Sequence, residues 1–400
     1  MSQDLWSLEN DFSGYFKEQG FKAPTLIQKK VIPMWKKKTS LMVLAETGAG
    51  KTLSFALPIV DDLKKMEAEF GPTKERACPR ALVLAPTREL AQQLYTEFKK
   101  ISHHQKLRVR VLSGGDSPEK TKNLSHSSFD ILIATPHRLV AAMKRKAVQL
   151  GQVKVLVFDE ADNLFEMGFR KDLDMLLSYL DLPGTQCGFF SATFPPDFEQ
   201  FIIEKFSDKK LERILSQAAH QTSSRIETFN VKVNPEEKNT VVKMFLEKEA
   251  KGRGIVFANQ KNQAVDLYNF LKEKLPKVKT ILLHGDLLPN ERSSVLESFR
   301  DKKAQVLIAT DVAARGIDLE DLWWVVNFGL PKNAIYYLHR AGRIARGGKK
   351  GVLYNLVSRH DAKMIEEINQ MIRTQEHLLL KPLPSERKKS ETPRFQKNAK

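Results

Sequence analysis

Cysteine is nearly absent. Cys78 and Cys187 are the only two in 400 residues, and neither has a partner at ligand spacing. That excludes a disulfide framework or a cysteine zinc site, and it fits a reducing compartment. Long apolar runs are missing as well. No stretch approaches the roughly 20 residues of a membrane-spanning helix. Met1 to Phe16 carries acids and no basic segment before an apolar run, so it does not read as a secretory leader. A cytoplasmic chain without a membrane partner is therefore expected. Acidic side chains are also in short supply: 48 Asp and Glu stand against 65 Lys and Arg, a formal net charge of +17. Such an excess favours a polyanionic partner, because binding releases condensed counterions. Charge alone does not separate that reading from a plain basic protein. Only part of the excess lies at the end. Lys381 to Lys400 hold seven basic and two acidic residues with Pro382, Pro384 and Pro393 among them, and read as disordered.

What the chain does have is rhythm. Leu41–Ala45, Ala81–Ala85, Ile131–Ala134 and Val155–Phe158 are short buried-strand patterns, separated by helix-length stretches such as Arg88 to Ile101. The alternation predicts an α/β fold, a parallel sheet covered by helices on both faces. It breaks at the polar stretch Ser216 to Arg225, which reads as a linker. It then restarts at Gly254–Phe257, Thr280–Leu283, Val306–Ala309 and Trp324–Asn327. With 42% hydrophobic residues, each half can bury a core. The expected organisation is a domain over 1–215, a linker over 216–226, a second domain over 227–375 and a basic tail over 376–400.

The stretch from Ala45 to Thr52 (AETGAGKT) follows a predicted strand and precedes a predicted helix. Backbone N–H groups of Thr47, Gly48, Ala49 and Gly50 can wrap phosphate oxygens. Lys51 would reach the β- and γ-phosphates of a nucleotide, and the Thr52 hydroxyl would ligate Mg²⁺. The helix adds its positive end. Ala45 stands where the general pattern has Gly. Val155–Phe158 runs into Asp159-Glu160-Ala161-Asp162. Carboxylates at the carboxyl end of a parallel strand sit where such sheets bind ligands. Asp159 would hold Mg²⁺, directly or through water, and Glu160 would orient the attacking water.

From Gly20 to Arg346 the ordered motifs resemble the DEAD-box helicases. Asp159 to Asp162 spells the family's name, and Asn163 to Phe169 continues like it. The resemblance implies two tandem RecA-like domains that close on ATP, Mg²⁺ and RNA. Gly20 to Gln28 resembles the family's adenine-recognition motif. Phe21 can stack, and Gln28 carries a donor and an acceptor for the adenine edge. The nearest aromatic to the family's isolated upstream Phe is Trp6. Pro86-Thr87-Arg88, Gly114-Gly115 and the segment around Thr135 and Arg138 resemble its RNA-contacting elements. These give N–H and O–H donors to phosphates, without base reading. Arg88 and Arg138 either add charge or brace the loops. Ser191-Ala192-Thr193 resembles the motif that couples hydrolysis to closure. In the second half, Ile255–Asn259 and Leu283–Asp286 resemble the first two elements. Ala309–Asp318 follows, where the resemblance puts Thr310 and Arg315 on RNA and Asp318 on the ribose. His339 to Arg346 resembles the arginine-finger motif. Arg343 and Arg346 would enter the nucleotide site and stabilise charge on the transferring phosphoryl group. His137, Pro289, Gly329, Ile344 and Ala345 replace the family's usual Gly, Gln, Asp, Thr and Gly.

The reading is an ATP-dependent RNA helicase. It holds RNA by the backbone, locally unwinds short duplexes and hydrolyses ATP to release RNA. A monomer is expected, with ribonucleoprotein partners reached through the basic tail. Two rivals stand beside it: a non-enzymatic RNA-binding factor on a decayed helicase scaffold, and a DNA helicase or translocase.

Overall fold

The structure is a computed structural model. It describes residues 6–45, 48–115, 117–216, 226–314, 319, 322–331, 334–344, 350–358, 361 and 364–368. Thr47, Arg315, Asp318, Ala345, Arg346, nearly all of the 216–226 stretch and the 376–400 tail lie outside the described residues.

Two parallel sheets carry the chain. The first holds β1 (Ser40–Leu44), β2 (Ala81–Leu84), β3 (Val109–Leu112), β4 (Ile131–Ala134), β5 (Val155–Asp159), β6 (Gln186–Ser191) and β7 (Leu211–Leu215). Its order is β3-β4-β2-β5-β6-β1-β7. The second holds β8 (Ile226–Lys232), β9 (Arg253–Ala258), β10 (Thr280–Leu283), β11 (Val306–Thr310), β12 (Leu322–Asn327) and β13 (Gly351–Val357), in the order β10-β11-β9-β12-β13-β8. All pairings are parallel.

Helices cover both faces of each sheet, so the central strands read as unbroken apolar runs rather than alternating ones. Along β1, Leu41 and Val43 join one core while Met42 and Leu44 join the core on the other face. Along β9, Ile255 and Phe257 are divided from Val256 and Ala258 in the same way. Burial of that extent contributes roughly 25 cal/mol for each Å² of apolar surface removed from water. The result is two platforms whose strand carboxyl ends present the loops.

Strand order sorts those loops by chemistry. β5, β6 and β1 are neighbours, and their ends carry the acids, Ser191 and the phosphate loop. β2, β4 and β3 lie to one side, and their ends carry Thr87, Thr135 and Gly114-Gly115. In the second sheet the ends of β10, β11 and β9 carry His284, Asp311 and Asn259.

Candidate active site

The phosphate loop leaves β1 and turns into the helix Lys51–Phe70. Gly48 and Gly50 take φ of +87° and +91°, a region that L side chains rarely adopt. A Cβ on Gly50 would also stand 2.5 Å from Gln28 Nε2. Lys51 Nζ donates to the Ala45 carbonyl. Gln28 lies buried under the loop. Its Nε2 donates to the Gly50 carbonyl (3.1 Å), its Oε1 accepts from Thr25 N (2.7 Å), and the Thr25 hydroxyl donates to the Ala49 carbonyl (2.8 Å). Gln28 thus caps the helix Leu26–Lys36 and braces the loop at once. One N–H and one lone pair of its amide remain for a ligand. Trp6 is buried and stacks on Phe16 at 4.4 Å, in the core against which Phe21 packs.

Across Ser191 from the loop, Asp159 is almost fully buried. Burial and the neighbouring Glu160 push its carboxyl up to about 7, against the pull of Lys51. A carboxylate held so short of positive charge suits a cation. Beside Thr52 it offers hard oxygen donors, and Mg²⁺ characteristically takes one or two protein oxygens and completes its shell with water and phosphate. Glu160 follows with φ 47° and ψ 52°, a left-handed conformation unusual for a residue with a Cβ. Its amide donates to Asp159 Oδ1 at 3.1 Å.

Asp162 is held by the next strand end. Its amide donates to Ser191 Oγ at 3.2 Å, and Thr193 N and Oγ1 donate to Asp162 Oδ2 at 3.2 and 2.8 Å. His339 Nε2 reaches the same oxygen at 3.5 Å from the second domain. Burial raises this carboxyl, but the bonds from His339, Thr193 and Ser191 outweigh it and bring it down to about 2. A carboxyl whose folded pKa is lowered adds stability that is present above its unfolded value near 3.8 and lost as pH falls through about 2. The shift is worth about 2 kcal/mol at neutral pH. Chemical unfolding of the parent and of Asp162→Asn should therefore differ most above pH 4, and the gap should close towards pH 2. A gap constant over that window would contradict the assignment.

Groups from both halves meet in one cavity of about 380 Å³. Phe21, Lys51, Thr52, Asp159 and Glu160 line it from the first, His339 and Arg343 from the second. Two further contacts cross the cleft. Arg292 Nε pairs with Glu89 Oε1, and Tyr336 OH donates to Glu166 Oε2 at 2.6 Å.

Residues 25–201 match the family model described as DEAD/DEAH box helicase, and residues 236–348 match Helicase conserved C-terminal domain. The ATP-dependent RNA helicase SrmB of Haemophilus influenzae is 31% identical over 358 residues, covering 88% of this chain and 79% of that protein. The chain belongs to the DEAD-box helicase family. RhpA of Helicobacter pylori is 36% identical, and the chain spans 66% of its length; it spans 51% of ddx3 of Dictyostelium discoideum, at 34% identity. Among solved structures, S. cerevisiae Dbp5 bound to RNA and ADP BeF3 aligns with a TM-score of 0.80 at 27% identity, over 93% of both chains.

Thr87 is the N-cap of Arg88–Gln105 and its hydroxyl accepts from Leu90 N at 3.2 Å; Thr135 starts Pro136–Lys144. Both hydroxyls sit in buried residues, which leaves helix-start N–H groups as the donors for a phosphate. Pro86 is buried too, and Arg88 and Arg138 are half-buried. Arg138 Nη2 donates to Thr121 Oγ1 at 3.4 Å, which favours its bracing role. Thr310 ends β11, half-buried.

The departures from the family pattern have physical roles here. His137 is largely exposed, with Nδ1 3.6 Å from Asp172. Pro289 occupies the first turn of Pro289–Arg300, where a missing N–H costs nothing. Gly329 lets its strand end approach Asn259, whose Nδ2 would lie 2.9 Å from an added Cβ. Ile344 is buried in the second core. Roles for Asp162, His339, Asn163 and the Arg292–Glu89 pair went unread in the sequence. A third acid three residues past Asp159 was the available signal for the first; the rest needed the cleft.

Proposed function

We propose that this DEAD-box chain is an RNA-stimulated ATPase that clamps RNA by its backbone, opens short duplexes locally and releases RNA on hydrolysis. The observation that carries the proposal is the cavity lined from both domains, with Lys51, Asp159 and Glu160 on one wall and Arg343 on the other. The loop amides and Lys51 bind the phosphates, with Phe21 and Gln28 beside the base. Thr52 and Asp159 would hold Mg²⁺, whose chemistry when bound is to neutralise phosphate charge. Glu160 orients water, and Arg343, with Arg346 beyond it, stabilises charge on the transferring phosphoryl group. Asp318 takes the ribose.

The arrangement of the two halves supports the reading. The TM-score against the RNA-bound and ADP BeF3-bound Dbp5 is 0.80, against 0.50 for a DEAD box protein of Methanococcus jannaschii that is more similar in sequence, 31% against 27%. The higher score against the ligand-bound structure supports a closed arrangement of the two halves. The strand ends bearing Thr87, Arg88, Gly114, Gly115, Thr135 and Thr310 would give donors to RNA phosphates, joined by Arg315, which lies outside the described residues and enters from the motif alone. Domain limits of 1–215 and 227–375 and a ribonucleoprotein-recruiting tail over 376–400 complete the proposal, in a monomer working in the cytoplasm.

ATP turnover measured with single-stranded RNA, with DNA of the same sequence and with neither tests it. RNA should accelerate turnover and DNA should not. Equal stimulation by DNA would point to a DNA translocase, and no turnover at all would point to a non-enzymatic scaffold.

A further inference from the structure

Asn163 lies one turn beyond Glu160, in the helix Ala161–Glu166, and is buried. Its Nδ2 donates to Glu160 Oε2 at 2.9 Å. A carboxylate only accepts, so the amide has one sensible orientation here, with nitrogen towards Glu160. The other end, Oδ1, is buried and has no hydrogen-bond partner among the described residues. Asn163 lines the large cavity, and also a smaller one between the domains with Asp311, Tyr336 and Arg340. The backbone of Asn163 is itself fixed: its N–H donates to Asp162 Oδ1 at 2.9 Å, and its carbonyl accepts from Met167 N at 3.0 Å.

We infer that Asn163 is the positioning residue for Glu160, anchoring the carboxylate in the orientation that hydrolysis uses. The left-handed backbone at 160 fixes only where the Glu160 side chain sets out. Three rotatable bonds lie between that point and the carboxylate, and a catalytic group off by about 1 Å can lose on the order of a hundredfold in rate. The Asn163 amide supplies the second fixed point, on a side chain with little freedom of its own. A buried carbonyl left unpaired is rare in folded proteins. Its place on the cavity wall suits it to accept from a donor arriving with the substrates, foremost the water that Glu160 would orient. This inference rests on the reading of Glu160 as the water-orienting group.

Steady-state kcat and KM for ATP at saturating RNA, with the affinity for a fluorescent ATP analogue, test it. The variants are Asn163→Asp, Asn163→Leu, Glu160→Gln and the double variant Glu160→Gln/Asn163→Asp. Asn163→Asp keeps the shape and replaces the donor by an acceptor. It should lower kcat by on the order of tenfold or more while leaving KM and analogue affinity in place. Asn163→Leu should do the same if it folds. In the Glu160→Gln background the Asp substitution should cost little further, because the group it serves is gone. An unchanged kcat in Asn163→Asp, or an equal loss in both backgrounds, overturns the inference. If Glu160→Gln itself turns over like the parent, the reading of Glu160 fails instead.

Discussion

Lys51→Ala should abolish ATP turnover and weaken ATP binding, whereas Glu160→Gln should slow turnover sharply and keep binding. The two residues line the same cavity but do different work. Lys51 extends from the first turn of the helix after the phosphate loop, and its ammonium here rests on the Ala45 carbonyl. That contact is replaceable: a phosphate oxygen offers the same ammonium a charged acceptor, and charge-assisted bonds are roughly twice as strong as neutral ones. Removing the amine takes away a cation on which nucleotide binding and phosphoryl transfer both draw. Glu160→Gln keeps volume and one hydrogen-bonding oxygen but cannot act as a base. Hydrolysis should fall by on the order of a hundredfold or more. With hydrolysis stalled, the closed form should persist, so RNA should leave the ATP-bound variant more slowly than the parent. Analogue binding, single-turnover hydrolysis and RNA off-rates separate the cases. Turnover by Lys51→Ala at the parent rate, or loss of nucleotide binding by Glu160→Gln, would break this division of labour.

Most of the strands that could be read from the sequence are buried on both faces. β1, β2, β4, β5, β9, β11 and β12 are short apolar runs, and parallel sheets demand such runs at their centres. β10 is an edge strand, half-buried over Thr280–Leu282, and was legible because Ile281-Leu282-Leu283 is itself apolar. β8 escaped because it is an edge strand: Glu227, Thr228, Phe229 and Asn230 are all exposed, so no apolar signature marks it. The phosphate loop and the acids were legible because their chemistry is local, set by glycines and carboxylates at strand ends. Gln28 was legible as a site residue, but its grip on the Gly50 carbonyl was not, since 22 residues separate the partners. The cross-cleft pairs were illegible for the same reason: His339 and Asp162 meet only when two separately folded sheets close. In sequence, Arg343 and Arg346 read as ligands for phosphate and Arg340 is left without a role, since nothing there tells a buried arginine from an exposed one.

Arg340→Ala should therefore damage folding rather than chemistry, despite standing in the arginine-finger motif. Arg340 is 1% exposed. Its Nε and Nη2 donate to the two oxygens of Asp311, both at 2.6 Å. Nη1 donates to Asn327 Oδ1 at 2.9 Å and to the Gly329 carbonyl at 2.7 Å, and Nη2 also donates to Asn259 Oδ1 at 2.8 Å. All five N–H groups of a guanidinium are thus used, in a plane that lies over the Phe257 ring at 5.1 Å. The bonds tie the carboxyl ends of β9, β11 and β12. They run on through Asn327 Nδ2 to Asn355 Oδ1 and from Asn355 Nδ2 to Asn230 Oδ1, at 2.7 and 2.8 Å, reaching β13 and β8. Removing the guanidinium leaves the buried Asn327 Oδ1 without its donor and the partly exposed Asp311 carboxylate without its partner, a loss of roughly 3 kcal/mol for the second domain. Arg340→Lys keeps the charge but has three donors and no fork, so it should recover only part of that. Urea unfolding followed by Trp323 and Trp324 fluorescence would report it, since both indoles lie in β12. An Arg340→Ala domain as stable as the parent, with ATP turnover lost, would return Arg340 to the nucleotide site. The expected order of stability, parent above Lys above Ala, would instead make it the tie that holds Arg343, three residues on, at the cavity wall.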